Sequence, residues 1–501
     1  MIQNMLEYLE NSATRTPERI AFYDDRESLT YGQLRDKARR IGTRLAAATC
    51  PRRPIALLLD ARSIRNIPAL YGALYAGCAY APLDITMPPE RLTLLLELMA
   101  PGAILADEKG EEAVRDCRLA EVPFFLYQEA VETAEDDQVL ARIREQATPD
   151  DPMSILYTSG STGIPKGSVS TQSNYLHWTP ATIKMYTLTE DTVFGNQSPF
   201  FYANSVLDIF PPVALGAKVY LMPAGALTFP RKFVGCLQNE HVNLLCMTPS
   251  SFISVVNAGA LEPSCVPELK WGIMSGESMP WPPLDVWMQA SPNASWWHFY
   301  GSTEMFSVAV GVVNPSYAQE PRLPVGKIFP QVEVLFLDED GEPVPAGEPG
   351  EMFVNSPWVG AGYHRDPDRT AQSWVELGGK TYYRSGDLGY LRTDEQLMVL
   401  GRRDNQIKHM GYRMELGDVE AALDKVSEVA ERCVFFDREA DRIFCFYTGA
   451  VDEKELMRAL KDKLARYMVP DELVRLEAMP HTANMKVDRA KLKAMMAEMK
   501  A

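Results

Sequence analysis

Short apolar runs alternate with amphipathic segments from about residue 53 to residue 301. The apolar runs at residues 54–60, 102–107, 217–222 and 242–247 have the length and composition of buried strands. Such alternation of strands with helical patterns predicts βαβ units and parallel sheets. The most apolar stretch, residues 67–83, is interrupted by Gly72, Gly77 and Pro82. We therefore expect a buried helix that runs into a strand there, and not a membrane span.

The pattern changes after about residue 321. Apolar segments at residues 332–338 and 350–355, with Asp340 and Gly341 between them, predict an antiparallel hairpin. Beyond about residue 401, helical patterns at residues 416–425 and 453–466 occur together with further strands. We predict an α/β protein whose large N-terminal domain of βαβ-layered sheets includes a β-rich subdomain. A small, mobile C-terminal α+β domain follows, so that the domains are residues 1–403 and 404–501.

Composition narrows the class of protein. The 501 residues are too many for one ordinary core, and a content of 46% hydrophobic and 23% charged residues is typical of globular proteins. The formal charge of −17 argues against a nucleic-acid partner and against an anionic membrane. Eight scattered cysteines without a CxxC pair predict reduced thiols, and no signal peptide is visible. We expect a cytoplasmic protein.

The segment with the clearest chemistry is residues 157–167, Tyr-Thr-Ser-Gly-Ser-Thr-Gly-Ile-Pro-Lys-Gly. Small side chains allow the backbone to approach an anion, and hydroxyl and N–H groups can then bond phosphate oxygens. Lys166 adds a cation. The spacing differs from a Walker A loop, in which adjacent Gly and Lys precede Ser or Thr. Taken alone, such a segment is more often a flexible turn, so its interpretation depends on the rest of the chain.

Seven further segments resemble motifs of one superfamily and occur in the superfamily's order. They are residues 29–34 (Leu-Thr-Tyr-Gly-Gln-Leu), 76–84 (Ala-Gly-Cys-Ala-Tyr-Ala-Pro-Leu-Asp), 299–304 (Phe-Tyr-Gly-Ser-Thr-Glu), 383–389 (Tyr-Arg-Ser-Gly-Asp-Leu-Gly), 401–415 (beginning Gly-Arg-Arg-Asp), 467–470 (Tyr-Met-Val-Pro) and 484–489 (Asn-Met-Lys-Val-Asp-Arg). Together with residues 157–167 they make the chain resemble the adenylate-forming superfamily. That superfamily includes acyl-CoA synthetases, luciferases and peptide-synthetase adenylation domains. The resemblance covers nearly the whole chain.

The resemblance implies an ATP-dependent, AMP-forming ligase. Such an enzyme joins a carboxylate to the α-phosphate of ATP, expels pyrophosphate and transfers the acyl group to a thiol. Because two anions must meet, the site must supply cations and oriented dipoles. The residues implied to hold the triphosphate are Thr158, Ser159, Gly160, Ser161, Thr162, Gly163 and Lys166.

The other motifs imply roles for single residues. Glu304 would bind Mg²⁺, a hard ion that prefers carboxylate oxygen, with Tyr300 and Thr303 beside the adenine. Asp387 would accept hydrogen bonds from both ribose hydroxyls, and Arg402 would reach the ribose or a phosphate. The C-terminal domain would act as a lid. It would carry the catalytic Lys486, which bonds the acid and the α-phosphate, and it would swing about a hinge at Asp404.

Plainer interpretations exist for these residues outside their motifs. Asp387 is otherwise typical of a turn, Tyr300 of a core and Lys486 of a solvated tail. A non-catalytic nucleotide-binding or scaffold protein with a decayed site is the alternative class. The presence of Lys166, Glu304, Asp387 and Lys486 together argues against it.

Within the superfamily, the chain most resembles stand-alone D-alanine–carrier protein ligases and peptide-synthetase adenylation domains. The features that carry this resemblance are residues 409–416, residues 482–484 and the compact length. No Gly-Gly-x-Ser segment for phosphopantetheine follows residue 489. We therefore expect the acyl acceptor to be a separate acyl or peptidyl carrier protein, or else coenzyme A. The acid pocket implied by position-by-position alignment is mostly uncharged and comprises Ala203, Asn204, Leu207, Cys246, Ile273, Ser275, Phe299, Ser307 and Val308.

One departure from the resemblance bears on the substrate. Members that activate amino acids have an aspartate, in a Phe-Asp-x-Ser context, that pairs with the α-ammonium group. Alignment on Ser205 and Val206 places Ala203 at that position, and a buried ammonium without its carboxylate is strongly unfavourable. We expect a small acid without a charged α-amino group: an aryl acid, an aminobenzoate, a hydroxy acid or a keto acid. A one-residue shift, or Asp208 as the counter-ion, would instead allow a D-alanine-like substrate.

Overall fold

The computed structural model describes residues 2–115, 117, 122–158, 164–277, 279–320, 322–402, 406–437, 440–481 and 487–499. The chain forms two compact units. The first comprises Met1–Ile85, Leu96–Tyr157 and Gly167–Arg403, and the second comprises Thr86–Leu95, Thr158–Lys166 and Asp404–Ala501. The domain boundary between residues 403 and 404 stays a prediction, because residues 403–405 lie outside the described ranges.

Helices follow strands through most of the described chain. The α-helices are α1 (Leu6–Arg15), α2 (Tyr31–Ala46), α3 (Asn66–Tyr75), α4 (Pro89–Met99), α5 (Glu108–Ala113), α6 (Tyr127–Ala130), α7 (Asp137–Gln146), α8 (Gln172–Tyr186), α9 (Phe210–Leu215), α10 (Pro230–Asn239), α11 (Pro249–Asn257), α12 (Trp281–Ala290), α13 (Pro367–Ser373), α14 (Leu416–Leu423), α15 (Glu453–Lys461) and α16 (Arg489–Glu498). Short 3₁₀ helices lie at Ala203–Asp208, Ala226–Thr228, Pro315–Gln319 and Arg466–Met468.

Most strands are short, as buried strands of layered sheets usually are. The first thirteen are β1 (Ile20–Tyr23), β2 (Ser28–Thr30), β3 (Pro54–Leu58), β4 (Ala79–Pro82), β5 (Ala103–Ala106), β6 (Phe124–Leu126), β7 (Pro152–Thr158), β8 (Lys166–Thr171), β9 (Val193–Asn196), β10 (Lys218–Leu221), β11 (Leu244–Met247), β12 (Trp271–Ser275) and β13 (Ser295–Tyr300). The others are β14 (Ala309–Val312), β15 (Lys327–Ile328), β16 (Glu333–Leu337), β17 (Gly350–Asn355), β18 (Gly362–Tyr363), β19 (Trp374–Leu377), β20 (Lys380–Leu391), β21 (Leu397–Arg402), β22 (Gln406–His409), β23 (Tyr412–Glu415), β24 (Val429–Asp437), β25 (Arg442–Gly449) and β26 (Glu472–Arg475).

Two large sheets contain most of these strands. One has the order β18-β8-β7-β4-β3-β5-β6, and the other has the order β15-β14-β13-β12-β11-β9-β10-β1-β2. Strands β9, β11, β12 and β13 run parallel, whereas β14, β15 and β2 add antiparallel pairs near the edges. The prediction of an α/β fold with parallel βαβ sheets is confirmed.

The four strands predicted from apolar runs are present but shorter than predicted. They are β3, β5, β10 and β11, which have four or five residues each. Asp107 shows why the fifth strand ends early. Its carboxylate caps α5 by accepting the Gly110 N–H at 2.8 Å, and it also accepts the Asp60 N–H at 2.9 Å. The Asp107 backbone is still extended, but the residue is the N-cap of α5, and helical residues begin directly after it. The strand therefore ends at Ala106, one residue before the apolar run does.

A five-stranded sheet forms the β-rich part, with the order β16-β17-β20-β19 and β21 beside β20. Strands β16 and β17 pair antiparallel, which confirms the predicted hairpin. The chain reverses direction between these strands. The backbone N–H of Asp338 donates to the backbone carbonyl of Glu342 at 2.9 Å, and Gly341 has a positive φ of +85°. A loop at residues 343–349 then leads to β17.

The C-terminal residues form a smaller α+β structure, as predicted. It contains the hairpin β22–β23, the sheet β24-β25-β26 and helices α14, α15 and α16. Helices α14 and α15 end at Leu423 and Lys461, before the predicted residues 425 and 466. Ala465 is extended, with ψ 149°, and cannot continue a helix. Leu464 is nevertheless buried, so the apolar sequence pattern continues beyond the last helical residue, Lys461.

The nine-stranded sheet buries different side chains on its two faces. Cys246 and Ile273 belong to one apolar cluster, and their neighbours Met247 and Met274 belong to another. This alternation follows from the two-residue period of a strand. The face that carries Cys246 also carries Ser275, another residue of the predicted acid pocket.

Two predictions concern features of the whole chain. No helix in the described ranges has the length and apolarity needed to cross a bilayer. All eight cysteines are free thiols, as their scattered spacing predicts.

Candidate active site

Two strands enclose the glycine-, serine- and threonine-rich loop. Thr158 is the last residue of β7 and Lys166 the first of β8. The Thr158 hydroxyl oxygen is shielded from solvent and has no hydrogen-bond partner in the described ranges. The five residues predicted between these strands lie outside the described residues: Ser159, Gly160, Ser161, Thr162 and Gly163.

Glu304 is fully buried, although it lies in the turn between β13 and β14. Its carboxylate accepts a hydrogen bond from the Ser302 hydroxyl at 3.0 Å and another from the Tyr363 hydroxyl at 3.0 Å. Its backbone oxygen accepts the Gly360 N–H at 2.7 Å. These contacts fix the carboxylate, because each oxygen is held by a separate donor. Tyr363 and Ser302 were not singled out from the sequence.

Gly301 allows this turn to fold back closely on itself. A Cβ atom at position 301 would lie 1.6 Å from the Phe306 oxygen, a distance that no side chain tolerates. The segment between them contains Ser302, Thr303 and Glu304. The glycine therefore determines where the Glu304 carboxylate and the Thr303 side chain lie.

Tyr300, Asp387 and Arg402 form one polar cluster. Asp387 on β20 and Arg402 on β21 are cross-strand partners, with 3.4 Å between Arg402 Nη1 and Asp387 Oδ1. The Tyr300 hydroxyl donates to the other oxygen of Asp387. Arg402 also donates to the backbone carbonyl oxygen of Ser385 at 2.6 Å. Burial and the neighbouring Asp387 raise the pKa of Tyr300 well above its usual value, so its hydroxyl stays a donor.

The residues predicted for the acid pocket that lie on strands share one face of the nine-stranded sheet. Cys246 pairs with Ile273, and Ile273 pairs with Trp297. Two residues further along, Ser275 pairs with Phe299 on the same face. The structure therefore brings four of the predicted residues together at the carboxyl ends of parallel strands, and Trp297 lies among them without having been predicted.

Ala203 and Asn204 begin the 3₁₀ helix at Ala203–Asp208. The Asn204 amide nitrogen donates to the Ser275 hydroxyl at 2.8 Å, across 71 positions of sequence. Ser275 is almost fully buried and Asn204 is partly exposed. This hydrogen bond holds the 3₁₀ helix against the end of β12.

Asp208, at the end of the same 3₁₀ helix, is buried and has one hydrogen bond. Its Oδ2 accepts from the Asn196 amide at 2.9 Å, and its Oδ1 has no partner among the described residues. Burial raises the pKa of Asp208 to about 7, against the opposing effect of the Asn196 hydrogen bond. A carboxyl group in this setting is partly protonated at neutral pH.

Ser307, a further residue predicted for the pocket, contacts Trp178 of α8. The Trp178 indole donates to the Ser307 hydroxyl at 3.0 Å, and the Tyr186 ring lies edge-on to Trp297 with centroids 5.1 Å apart. Val308 and Leu207 are buried in the same apolar cluster. Aromatic residues on a helix are ordinarily core, so the sequence carries no signal that would single out Trp178 or Tyr186.

Two predicted residues of the C-terminal part lie outside the described ranges. They are Asp404, the predicted hinge, and Lys486, the predicted catalytic lysine. Their roles stay predictions.

Comparison with known families decides the class of protein. The family described as "AMP-binding enzyme" matches residues 9–364, and "AMP-binding enzyme C-terminal domain" matches residues 418–486. This chain belongs to the AMP-binding, adenylate-forming family. Like other adenylate-forming enzymes, it is an AMP-forming ligase that uses ATP.

Individual relatives of this adenylate-forming enzyme include two kinds of protein. The D-alanine–D-alanyl carrier protein ligase of Lacticaseibacillus casei (strain BL23) is 28% identical over 516 residues and covers 99% of both chains. Tyrocidine synthase 3 of Brevibacillus parabrevis is 31% identical over 97% of this chain, which matches 7% of that protein. Relatives thus occur both as stand-alone ligases and within larger synthases.

Solved structures share the fold of this adenylate-forming enzyme. The Vibrio cholerae adenylation domain AlmE, solved in complex with glycyl-adenosine-5'-phosphate, aligns with a TM-score of 0.86 and 20% identity over 99% of this chain and 98% of AlmE. PA1221, a protein with adenylation and PCP domains, aligns with a TM-score of 0.81 and 23% identity over 98% of this chain and 84% of PA1221. At these identities the comparison concerns the fold alone.

Proposed function

We propose that this enzyme activates a small carboxylic acid as an acyl-adenylate and passes the acyl group to the phosphopantetheine thiol of a separate carrier protein. The observation that carries the proposal is the cluster of Tyr300, Asp387 and Arg402, a two-oxygen acceptor beside a cation that suits a ribose. The ligase relatives named for a carrier protein, which match over their whole length, support a carrier as acceptor. Coenzyme A is the alternative acceptor.

The residues proposed for ATP divide into phosphate contacts and nucleoside contacts. Thr158 and Lys166 would contact the phosphates, together with the loop residues between them. Asp387 would accept hydrogen bonds from the ribose hydroxyls once its hydrogen bond from the Tyr300 hydroxyl weakens. Arg402 would stay bonded to the other carboxylate oxygen of Asp387. Tyr300 and Thr303 would lie beside the adenine.

The residues around Glu304 fit a magnesium ion that arrives with the nucleotide. Glu304 offers a buried carboxylate whose two oxygens accept hydrogen bonds from Ser302 and Tyr363. In the described ranges no group of three or more His, Cys, Asp or Glu side chains is placed to hold a metal. A single carboxylate suits Mg²⁺, which usually keeps waters and substrate phosphates as its other ligands. When bound, the ion would neutralise phosphate charge.

Substitution of Glu304 tests the magnesium assignment. Glu304→Gln keeps the shape and the acceptor oxygen but removes the charge. We expect adenylate formation to fall on the order of 10²-fold and the magnesium concentration for half-maximal rate to rise. Tyr363→Phe, which removes one hydrogen bond to the same carboxylate, should cost about tenfold. An unchanged magnesium dependence in Glu304→Gln would contradict the assignment.

The pocket side chains favour an acid without a charged α-amino group. Ala203 stands where an amino-acid-activating enzyme would place its aspartate. Asp208, the carboxylate at the end of the 3₁₀ helix, is buried and accepts a hydrogen bond from Asn196. An ammonium group in this pocket would be desolvated without a full counter-charge. We propose an aryl acid, an aminobenzoate, a hydroxy acid or a keto acid.

A pyrophosphate-release screen of the full-length enzyme tests this proposal. The panel contains aryl, hydroxy, keto and α-amino acids of matched size, each with ATP and magnesium. We expect the highest kcat/KM for an acid that lacks an α-ammonium group. If D-alanine or another α-amino acid gives the highest kcat/KM, the charge argument from Ala203 is wrong.

The acceptor is identified in a second assay. The preferred acid is supplied with ATP and either a phosphopantetheinylated carrier protein or coenzyme A, and the thioester is measured by mass spectrometry. We expect faster transfer to a carrier. Efficient transfer to coenzyme A, with none to carriers, would favour an acyl-CoA ligase.

A further inference from the structure

The Asn204 side chain is oriented by a hydrogen bond to a buried hydroxyl. Its amide nitrogen donates to the Ser275 hydroxyl at 2.8 Å. Ser275 is almost fully buried at the end of β12. The Ser275 hydroxyl oxygen accepts in this contact, because an amide NH₂ can only donate. The amide NH₂ therefore faces Ser275.

This orientation leaves the Asn204 carbonyl oxygen available. Asn204 is partly exposed, and its Oδ1 has no hydrogen-bond partner among the described residues. Ala203 beside it has no polar side-chain atom. The part of the pocket at residues 203–204 thus presents a neutral acceptor that cannot rotate freely to become a donor.

A fixed neutral acceptor discriminates between substituents of an acid. A hydroxyl group can donate to Oδ1. A keto oxygen would face Oδ1 as a second acceptor, and both oxygens would lose their water without gaining a partner. An unsubstituted carbon would leave Oδ1 without a partner. An ammonium could donate, but its charge would lack a counter-ion.

We infer that the substrate is a small α-hydroxy acid, whose hydroxyl donates to the Asn204 carbonyl oxygen, and that Ser275 is the positioning residue that holds Asn204 in this orientation. This inference rests on the proposed function and narrows its substrate class. It predicts that the enzyme prefers hydroxy acids to keto acids and to unsubstituted acids of equal length.

The experiment compares acids that differ only at the α-carbon. Full-length enzyme is assayed by pyrophosphate release with both enantiomers of lactate, with pyruvate and with propanoate, and again with the four-carbon series. We expect one lactate enantiomer to exceed pyruvate in kcat/KM by about tenfold or more, as one lost hydrogen bond and one unpaired acceptor imply. Alanine is included to test charge separately.

Two variants and a control distinguish recognition from general damage. Ser275→Ala frees the Asn204 amide to rotate and present its NH₂ to a keto oxygen, so the lactate-to-pyruvate ratio should fall toward one. Asn204→Leu removes the acceptor and should lower the same ratio. Ser12→Ala removes a different buried hydroxyl, which donates to the Val213 oxygen at 2.7 Å, and should leave the ratio unchanged. A ratio is insensitive to a uniform loss of active enzyme.

Each outcome decides a separate point. Pyruvate or propanoate preferred by the wild type would overturn the inference while leaving acid activation intact. A high ratio that persists in Ser275→Ala and in Asn204→Leu would overturn the assigned residues. Preference for alanine over lactate would overturn the proposed neutral substrate. No pyrophosphate release with these acids, together with turnover of an aryl acid in the wider screen, would overturn the inference and leave the proposed function intact. No release with any acid of either panel would overturn the proposed function.

Discussion

Asp387 is the residue on which nucleotide selection is expected to depend. Both of its oxygens are occupied by donors within the protein, Tyr300 and Arg402, so it is ordered before a ribose arrives. We expect Asp387→Ala to raise the KM for ATP on the order of 10–100-fold. The discriminating measurement uses 2'-deoxy-ATP and 3'-deoxy-ATP. The wild type should prefer ATP over both, whereas the variant should treat all three nearly alike. Retained discrimination in Asp387→Ala would show that the ribose is recognised elsewhere.

Asp208 makes the stability of the protein depend on pH in a defined direction. Its pKa of about 7 in the folded protein lies above the ordinary value near 3.9, so the folded state binds this proton more tightly than the unfolded chain does. The contribution to the free energy of unfolding is therefore complete below about pH 4 and is lost as the pH rises through about 7.

Asp208→Asn tests this dependence, because it keeps an acceptor for Asn196 and cannot ionise. We expect the variant to gain stability over the wild type by on the order of 3 kcal/mol as the pH rises from about 4.5 to about 8. The measurement is urea unfolding at each pH. Asp340→Asn, at an exposed turn position, is the control and should show a constant difference. A constant difference for Asp208→Asn as well would contradict the raised pKa.

At the scale of elements, the turn from Gly301 to Phe306 is the most tightly constrained part of the site. A Cβ at position 301 would meet the Phe306 oxygen at 1.6 Å. Gly301→Ala should therefore displace the turn that carries Thr303 and Glu304 and lower adenylation by about 10²-fold. Circular dichroism should show a folded protein.

Gly235 on α10 provides the matched control for that substitution. A Cβ at position 235 has nothing within 4 Å, so Gly235→Ala should raise stability by about 0.5–1 kcal/mol and leave adenylation unchanged. Equal activity of the two variants would mean that the close approach at Gly301 does not govern the site.

The same scale shows what the sequence could predict. Apolar runs predict strands β3, β5, β10 and β11, because burial on both faces requires continuous apolar residues. The contacts of Asn204 with Ser275 and of Tyr363 with Glu304 join residues 71 and 59 positions apart. They depend on strand register and on a 3₁₀ helix, neither of which a local pattern specifies. Tyr186 and Trp297 were missed because a pocket aromatic and a core aromatic have the same sequence pattern.

At the scale of the whole molecule, substitution of Lys486 should separate the two half-reactions, adenylate formation and thioester formation. The resemblance of residues 484–489 to a superfamily motif implies that this lysine contacts the acid and the α-phosphate, so we expect it to serve the first step. We expect Lys486→Ala to slow adenylate formation on the order of 10²–10³-fold and to affect thioester formation from preformed adenylate much less. Pyrophosphate exchange and single-turnover transfer measure the two steps. Adenylation at the wild-type rate would show that Lys486 is not catalytic.

The position of Trp297 makes its fluorescence a probe of the predicted acid pocket. Its indole nitrogen is shielded from solvent and without a hydrogen-bond partner in the described ranges, and its ring lies on the same sheet face as Cys246 and Phe299. An acid that enters this pocket changes the polarity around the indole and so shifts its emission. Fluorescence titration, with Trp297→Phe as the blank, then reports acid binding without ATP, and occupancy of the pocket becomes visible apart from turnover.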